Sequence, residues 1–227
     1  MVDHGSGVPV VFLHAGSGSS ALWQGQVEFF SGSGYRCIAY DRKARAAAAD
    51  ELEALASQLA LERFHLVGTA AGGIVAIDYA LSFPKRLRSL VIANSIFGIQ
   101  DEAYQAVMKR LRPSPQFEAL PVEVRELGPS YRAADPAGTQ RWAAASHHAS
   151  PQPTRNRITY ALLETVRVPS LLLTGDGDLY MPPSLLREVA ARVRGATVVV
   201  VPECGHSAFW EQPETFNQTV LEFIRSR

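Results

Sequence analysis

Cysteine is scarce in this chain: there are two, Cys37 and Cys204, far apart and without metal-ligand spacing. That excludes a disulfide-stapled scaffold and a cysteine zinc site, and it fits two free thiols in a reducing compartment. Net charge is missing as well. Lys+Arg and Asp+Glu are both 22, the formal charge is +0, and no block of one sign stands out. The chain therefore carries no basic footprint for nucleic acid and no polybasic surface for an anionic membrane, so small neutral partners are expected. No apolar run is long enough to cross a bilayer. The opening MVDHGSGVPV has neither a basic n-region nor an apolar h-region, so no secretion signal is read there and the cytoplasm is the expected compartment. Internal repeats are absent, and low complexity is limited to the AAAA after Arg45.

What the sequence does have is apolar content. With 227 residues, 47% of them hydrophobic, the chain can build one domain with a two-sided core. Val8 to Leu13 (VPVVFL) is a short continuous apolar run that ends in HAGSGSS, the pattern of a buried parallel strand and its following loop. The spacing then predicts a helix over 21–30, a strand over 36–40, a helix over 47–61, a strand over 64–67, a helix over 71–83 stopped by Pro84, and a strand over 90–93. Strand and helix alternate, which argues a parallel sheet covered on both faces. From about Ile99 to Thr165 the rhythm breaks into helical patches and prolines with no convincing strand. It resumes with a strand over 170–174, a helix over 184–193, a strand over 197–201 and a closing helix over 213–225. The expected organisation is an α/β core over 1–98 and 166–227, with a helical cap inserted at 99–165.

Four stretches carry the chemistry. HAGSG follows the first strand and offers backbone N–H groups in a glycine-loosened loop. HLVGTAAGG, residues 65–73, holds a strand-to-helix turn framed by Gly68 and Gly72. TGDGD ends the strand SLLLT, and carboxylates at the carboxyl ends of parallel strands face the crevice where such sheets bind ligands. PECGH follows TVVVV and puts His206 on the same rim.

Turn, acid and histidine in that order, with an insertion before the acid, resemble the α/β-hydrolase family. The resemblance spans nearly the whole chain. It is strongest in LHAGSG, HLVGTAAGG, LLLTGDGDLYMPP and CGHSAFWEQPETF, and within the family it is similar to capped lactonases, including 3-oxoadipate enol-lactonase relatives, to esterases, and to carbon–carbon bond hydrolases. It implies a mostly parallel central sheet with helices on both faces and an inserted helical cap. It also implies Ala70 at the nucleophile position, Asp178 as the acid in preference to Asp176, and His206 as the base. The N–H groups of Gly16 and Ala71 would form the oxyanion hole, with His14 bracing the loop. No cofactor or metal is implied, and His147 and His148, being adjacent, point different ways. The expected partner is a small-molecule ester or lactone, with no nucleic acid and no membrane; oligomeric state is not readable. Two family features are thin: DRKARAAAAD has Ala44 where a glycine is usual, and little of the family's opening hairpin precedes Val8.

A serine hydroxyl attacks only if a histidine takes its proton, and a carboxylate must hold that histidine in the correct tautomer. A methyl group has neither proton nor lone pair to contribute. Three readings of Ala70 stay open: a serine hydrolase inactivated by replacement of its serine, a His-Asp dyad working without a nucleophile as in lyases or cofactor-free oxygenases, and a non-catalytic relative that binds a small ligand. Cys204 near the histidine is read as a packed side chain, not a substitute nucleophile. Candidate pocket residues are Ser17, Tyr131, Trp142, His147, Tyr180, Met181 and Phe209, with Arg132 and Arg141 available for a substrate carboxylate.

Overall fold

The computed structural model describes residues 1–43, 47–112, 114–145 and 152–227. Its strands are β1 (Val2–His4), β2 (Val8–Leu13), β3 (Tyr35–Ala39), β4 (Phe64–Thr69), β5 (Leu87–Ala93), β6 (Ser170–Gly175) and β7 (Thr197–Val201). The helices of the first half are α1 (Gln24–Gly32), α2 (Ala48–Gln58) and α3 (Ala71–Ser82). Between β5 and β6 come α4 (Glu102–Leu111), α5 (Val122–Glu126), α6 (Pro129–Ala134), α7 (Pro136–Ala145) and α8 (Tyr160–Leu163). The chain closes with α9 (Pro183–Ala190), α10 (Ala208–Glu211) and α11 (Pro213–Arg225).

The seven strands form one sheet in the order β1-β3-β2-β4-β5-β6-β7. Every pairing is parallel except β1 against β3. Side chains alternate between its faces as strand geometry requires. Val11 and Leu13 of β2 join Leu66, Ile92 and Leu172 in the core beneath α2, α3 and α9. Val10 and Phe12 join Val67, Val91 and Leu173 in the opposite core with α1 and α11. Both faces are covered, so the central strands read as unbroken apolar runs.

Chain order reverses at β2, whose neighbours are β3 on one side and β4 on the other. At such a switch point the loops leaving adjacent strands diverge to opposite faces and open a crevice at the carboxyl ends. The loops leaving β2 and β4 are HAGSG and the turn at Ala70, so topology alone brings them together.

Several expectations change in detail. Residues 20–23 form a 3-10 turn ahead of α1, tied by the Ser20 N–H to Asp41 Oδ1 at 2.7 Å. The helix expected to reach Leu61 stops at Gln58, and Ala60 then takes a positive φ of 53°. The residues before Val8 are not bare of strand: Val2–His4 pairs antiparallel with β3 and closes that edge of the sheet. Ala44 lies outside the described residues. Among the described residues no helix is long and apolar enough to cross a membrane.

Candidate active site

The turn after β4 is built by close approach. A Cβ on Gly68 would fall inside the contact distance of the Gly72 carbonyl oxygen, and one on Gly72 would strike the carbonyl oxygen of Leu13. Gly73 faces the same limit, since a Cβ there would sit 2.6 Å from that of Ser95. Small residues are thus demanded by the packing of α3 onto β2 and β5. Gly72→Ala is expected to lower stability by about 3 kcal/mol, because backbone cannot yield as a side chain does. Urea denaturation checks this; an unchanged midpoint would contradict the packing argument.

Ala70 sits at the apex of that turn with φ 48° and ψ −117°. Its N–H donates to the Ala93 carbonyl at 3.0 Å and its own carbonyl accepts from Ser95 Oγ at 2.7 Å. A residue with a Cβ held there carries roughly 1–3 kcal/mol of backbone strain. Ala70→Gly relieves it but adds about 0.4–1 kcal/mol of unfolded-state freedom. The net gain of about 1 kcal/mol is expected to raise Tm by roughly 2–4 °C, measurable by calorimetry; a fall in Tm would mean the turn is unstrained.

Asp178 and His206 meet on the rim. His206 Nδ1 lies 2.8 Å from Asp178 Oδ1 and 2.9 Å from Oδ2. The carboxylate is otherwise saturated: Oδ1 accepts from the N–H groups of Tyr180 (2.8 Å) and Met181 (3.0 Å). Oδ2 accepts from Thr174 Oγ1 (2.9 Å) and Asn94 Nδ2 (3.1 Å). An acceptor this crowded with donors stays ionised and forces Nδ1 to carry a proton. Burial opposes charge on Asp178, yet the charge and hydrogen bond of His206, the Met181 N–H and the Asn94 amide hold it below the usual carboxylate range. Burial likewise opposes charge on His206, but Asp178 and, secondarily, Glu126 hold its pKa above the usual histidine value. Among the described residues no hydrogen bond uses His206 Nε2, which leaves that nitrogen's lone pair free to accept a proton.

A cavity of about 180 Å³ brings Ala70 and His206 into one wall, with Gly16, Ser17, Ala71, Tyr180 and Glu126 around it. A Cβ on Gly16 would touch that of Ala71 at 3.5 Å, so the loop after β2 and the start of α3 are in contact. No hydrogen bond among the described residues uses the N–H of either residue. Two N–H groups with free donors beside Ala70 can bind an anionic oxygen. His14 Nδ1 lies 2.7 Å from the Ala15 carbonyl, and Arg42 bonds its backbone oxygen at 2.7 Å and its Nε2 at 3.3 Å. These bonds hold the loop in place.

Of the other candidate residues, Ser17 and Tyr180 line the cavity, and the Tyr180 ring lies 4.3 Å from the His206 ring centre to centre. Met181 is a core residue whose N–H serves Asp178. Trp142 and Phe209 are placed elsewhere, in the core against α1 and α11, and Tyr131 packs half-buried against that core. Phe209 stacks 4.5 Å from Trp23, and Trp142 lies 5.4 Å from Trp210. The physical reason is volume: large rings fill the seam between the insertion and the sheet. His147 lies outside the described residues. Asp176 is exposed and accepts the Cys204 N–H at 3.1 Å, fixing the turn before His206. Arg141 pairs with Asp135 at 3.3 Å and Arg132 bonds the Leu127 carbonyl, so neither lines the cavity. Cys204 is buried, its thiol pushed up by burial, and it is not in the cavity wall. Burial pushes Cys37 up to about 12.

Sequence reasoning missed Asn94, Ile74, Ile96, Arg112 and Glu126. Asn94 could have been found, since a polar residue ending an apolar strand points to the rim. It carries a positive φ of 50° and also bonds the Gly205 carbonyl at 3.1 Å. Arg112 and Glu126 come from the insertion, where no periodicity fixes position. Among the described residues no group of three His, Cys, Asp or Glu side chains is arranged to hold a metal.

This arrangement can be set beside known proteins. Residues 10–219 match the alpha/beta hydrolase family. The chain belongs to that family. It is similar to RutD of Caulobacter sp. (strain K31), with 32% identity over 94% of this chain and 90% of that protein. It is also similar to 2-hydroxy-6-oxo-6-phenylhexa-2,4-dienoate hydrolase of Comamonas testosteroni, with 24% identity over 99% of this chain and 90% of that protein. In fold, this alpha/beta hydrolase superposes on a thermophilic esterase from Thermogutta terrifontis with a TM-score of 0.82, at 24% identity, over 99% of this chain and 92% of that one.

Proposed function

We propose that this alpha/beta hydrolase is built for esters or lactones of small organic acids by a Ser-His-Asp mechanism. Ala70 holds the serine's place, so the chain binds such a substrate without forming an acyl-enzyme. The observation that carries this reading is the Asp178–His206 pair opening with Ala70 onto one cavity while Ala70 keeps a strained backbone. Strain at the apex serves a nucleophile's presentation and offers nothing to a turn that only packs.

In the serine form, His206 Nε2 takes the hydroxyl proton as Oγ attacks the carbonyl carbon. The developing oxyanion is met by the N–H groups of Gly16 and Ala71, and Asp178 stabilises the imidazolium. His206 then returns the proton to the leaving alkoxide, and a water molecule repeats the sequence to release the acid. The helices of 99–165 act as a cap, since Arg112 and Glu126 from that insertion reach the cavity wall. Named hydrolases and an esterase among the similar proteins support this class. The test is p-nitrophenyl acetate hydrolysis by the chain and by Ala70→Ser; no gain on restoring the hydroxyl would overturn the reading.

One observation favours a second reading, a nucleophile-free acid–base enzyme. Glu126 lines the cavity beside His206, and its carboxyl is pushed up by burial and by the charge of Asp178. Together they would give a proton donor and a base on one bound molecule. Activity of the Ala70 chain that vanishes in both His206→Ala and Glu126→Gln would favour it.

A further inference from the structure

A second cavity, of about 400 Å³, adjoins the first: Arg112 and Tyr180 line both. Lys109, Arg125, Glu118 and Phe117 also line it, three cations against one carboxylate. Tyr180 is the partition. Its ring stacks on His206 at 4.3 Å and meets Phe117 edge-on at 5.2 Å, while the Arg112 guanidinium lies 5.3 Å from its centroid.

The arginines stand out because no carboxylate closes on either, Glu126 and Asp178 acting on them only at longer range. Among the described residues neither Arg112 nor Arg125 forms an ion pair. The Nε of each is buried without a hydrogen-bond partner. Among the described residues the one side-chain hydrogen bond of either is a long one, 3.5 Å from Arg125 Nη1 to the Tyr180 hydroxyl. Elsewhere in the insertion Arg141 pairs with Asp135 in the ordinary way. Glu118, on the chamber wall, is exposed and pairs with neither arginine. Burial draws the Arg112 pKa below the usual value, a sign of how much hydration it has lost. A half-desolvated guanidinium with free donors is costly unless something else accepts from it. Its planar fork matches a carboxylate.

We propose that Arg112 and Arg125 form an anion subsite for a free carboxylate on the substrate, on the far side of Tyr180 from the reacting carbonyl. This rests on the ester-hydrolase reading above and narrows it to half-esters of dicarboxylic acids and lactones that carry a second acid group. A neutral ester would fill the inner cavity and leave both guanidinium groups unmatched.

Isothermal titration of the chain with monomethyl adipate and with dimethyl adipate reads the subsite directly. The monoanion is expected to bind about tenfold or more tighter, as charge-assisted hydrogen bonds allow. Arg112→Gln should bring that ratio towards one, and Arg112→Lys, which keeps the charge without the fork, should restore part of it. Equal affinities in the unsubstituted chain overturn the proposal, as does a ratio that survives Arg112→Gln and Arg125→Gln combined. Should those variants fail to fold by circular dichroism, the salt dependence decides. The ratio must then fall with added sodium chloride, and a salt-independent ratio overturns the proposal. Neutral p-nitrophenyl acetate separates the two readings. Its turnover by Ala70→Ser without any carboxylate preference removes the subsite and leaves the hydrolase; a preference without turnover does the reverse.

Discussion

Ala70→Ser is expected to raise ester hydrolysis by about a million-fold in kcat, the size of the loss when a triad serine is removed from a serine hydrolase. The argument is that every other requirement is already in place. The turn holds position 70 at φ 48°, a conformation that a serine tolerates no worse than an alanine. His206 has its Nδ1 proton committed to Asp178 at 2.8 Å, so Nε2 can accept a proton without rearrangement. Gly16 and Ala71 pack against each other across the loop, a Cβ on Gly16 falling 3.5 Å from that of Ala71, and their N–H groups are unclaimed among the described residues. One hydroxyl in a cavity of about 180 Å³ needs no repacking. A p-nitrophenyl acetate assay reads the result, with mass spectrometry for an acyl adduct on residue 70. An Ala70→Ser protein that is folded, binds ester and still fails to acylate would sink the hydrolase reading.

In that serine background, Asp178→Asn is expected to lower kcat by about ten-thousand-fold. An amide presents an N–H to Nδ1 and so selects the tautomer in which Nε2 carries the proton and cannot act as base. The NH2 of that amide would also face donors in either position, the Tyr180 and Met181 N–H groups at Oδ1 or Thr174 and Asn94 at Oδ2. Retained activity would show that the histidine is held by something else.

The pH dependence follows from the same pair. His206 must be neutral to act, and Asp178 holds its pKa above the ordinary value. The acid limb of kcat/KM therefore falls above the usual histidine value of about 6.5. In Asp178→Asn it moves down, because burial and Arg112 are then opposed only by the lesser pull of Glu126. Stability shares the linkage. The raised His206 adds stability that is complete below its unfolded pKa and is lost as pH rises through its folded one. The lowered Asp178 adds stability present above its unfolded pKa and lost as pH falls through its folded one.

How the site could be read beforehand differs residue by residue. Ala70, Asp178 and His206 were each visible because they follow apolar strands in a fixed order, and a parallel sheet puts all strand ends on one rim. Asp178 is preferred to Asp176 only through the family resemblance, since both sit in one turn; packing gives the physical difference, burying the first against His206 and leaving the second exposed. The aromatic candidates misled because ring size predicts burial and not which void is filled. Trp142 and Phe209 went to the core, while Tyr180, beside the acid turn, stayed on the cavity wall. Arg132 and Arg141 were plausible carboxylate binders by composition, yet the cavity walls hold Arg112 and Arg125.

The sequence by itself determined the alternation of strand and helix, the two-faced core and the absence of a hydroxyl at the apex, because side-chain period and residue chemistry are local properties. Tertiary structure alone decided which insertion residues face the reacting groups, that Val2–His4 closes the sheet, and which arginines no carboxylate closes on. Those outcomes depend on how helices without a repeating pattern settle against the rim, where shape and desolvation act between residues far apart in the chain.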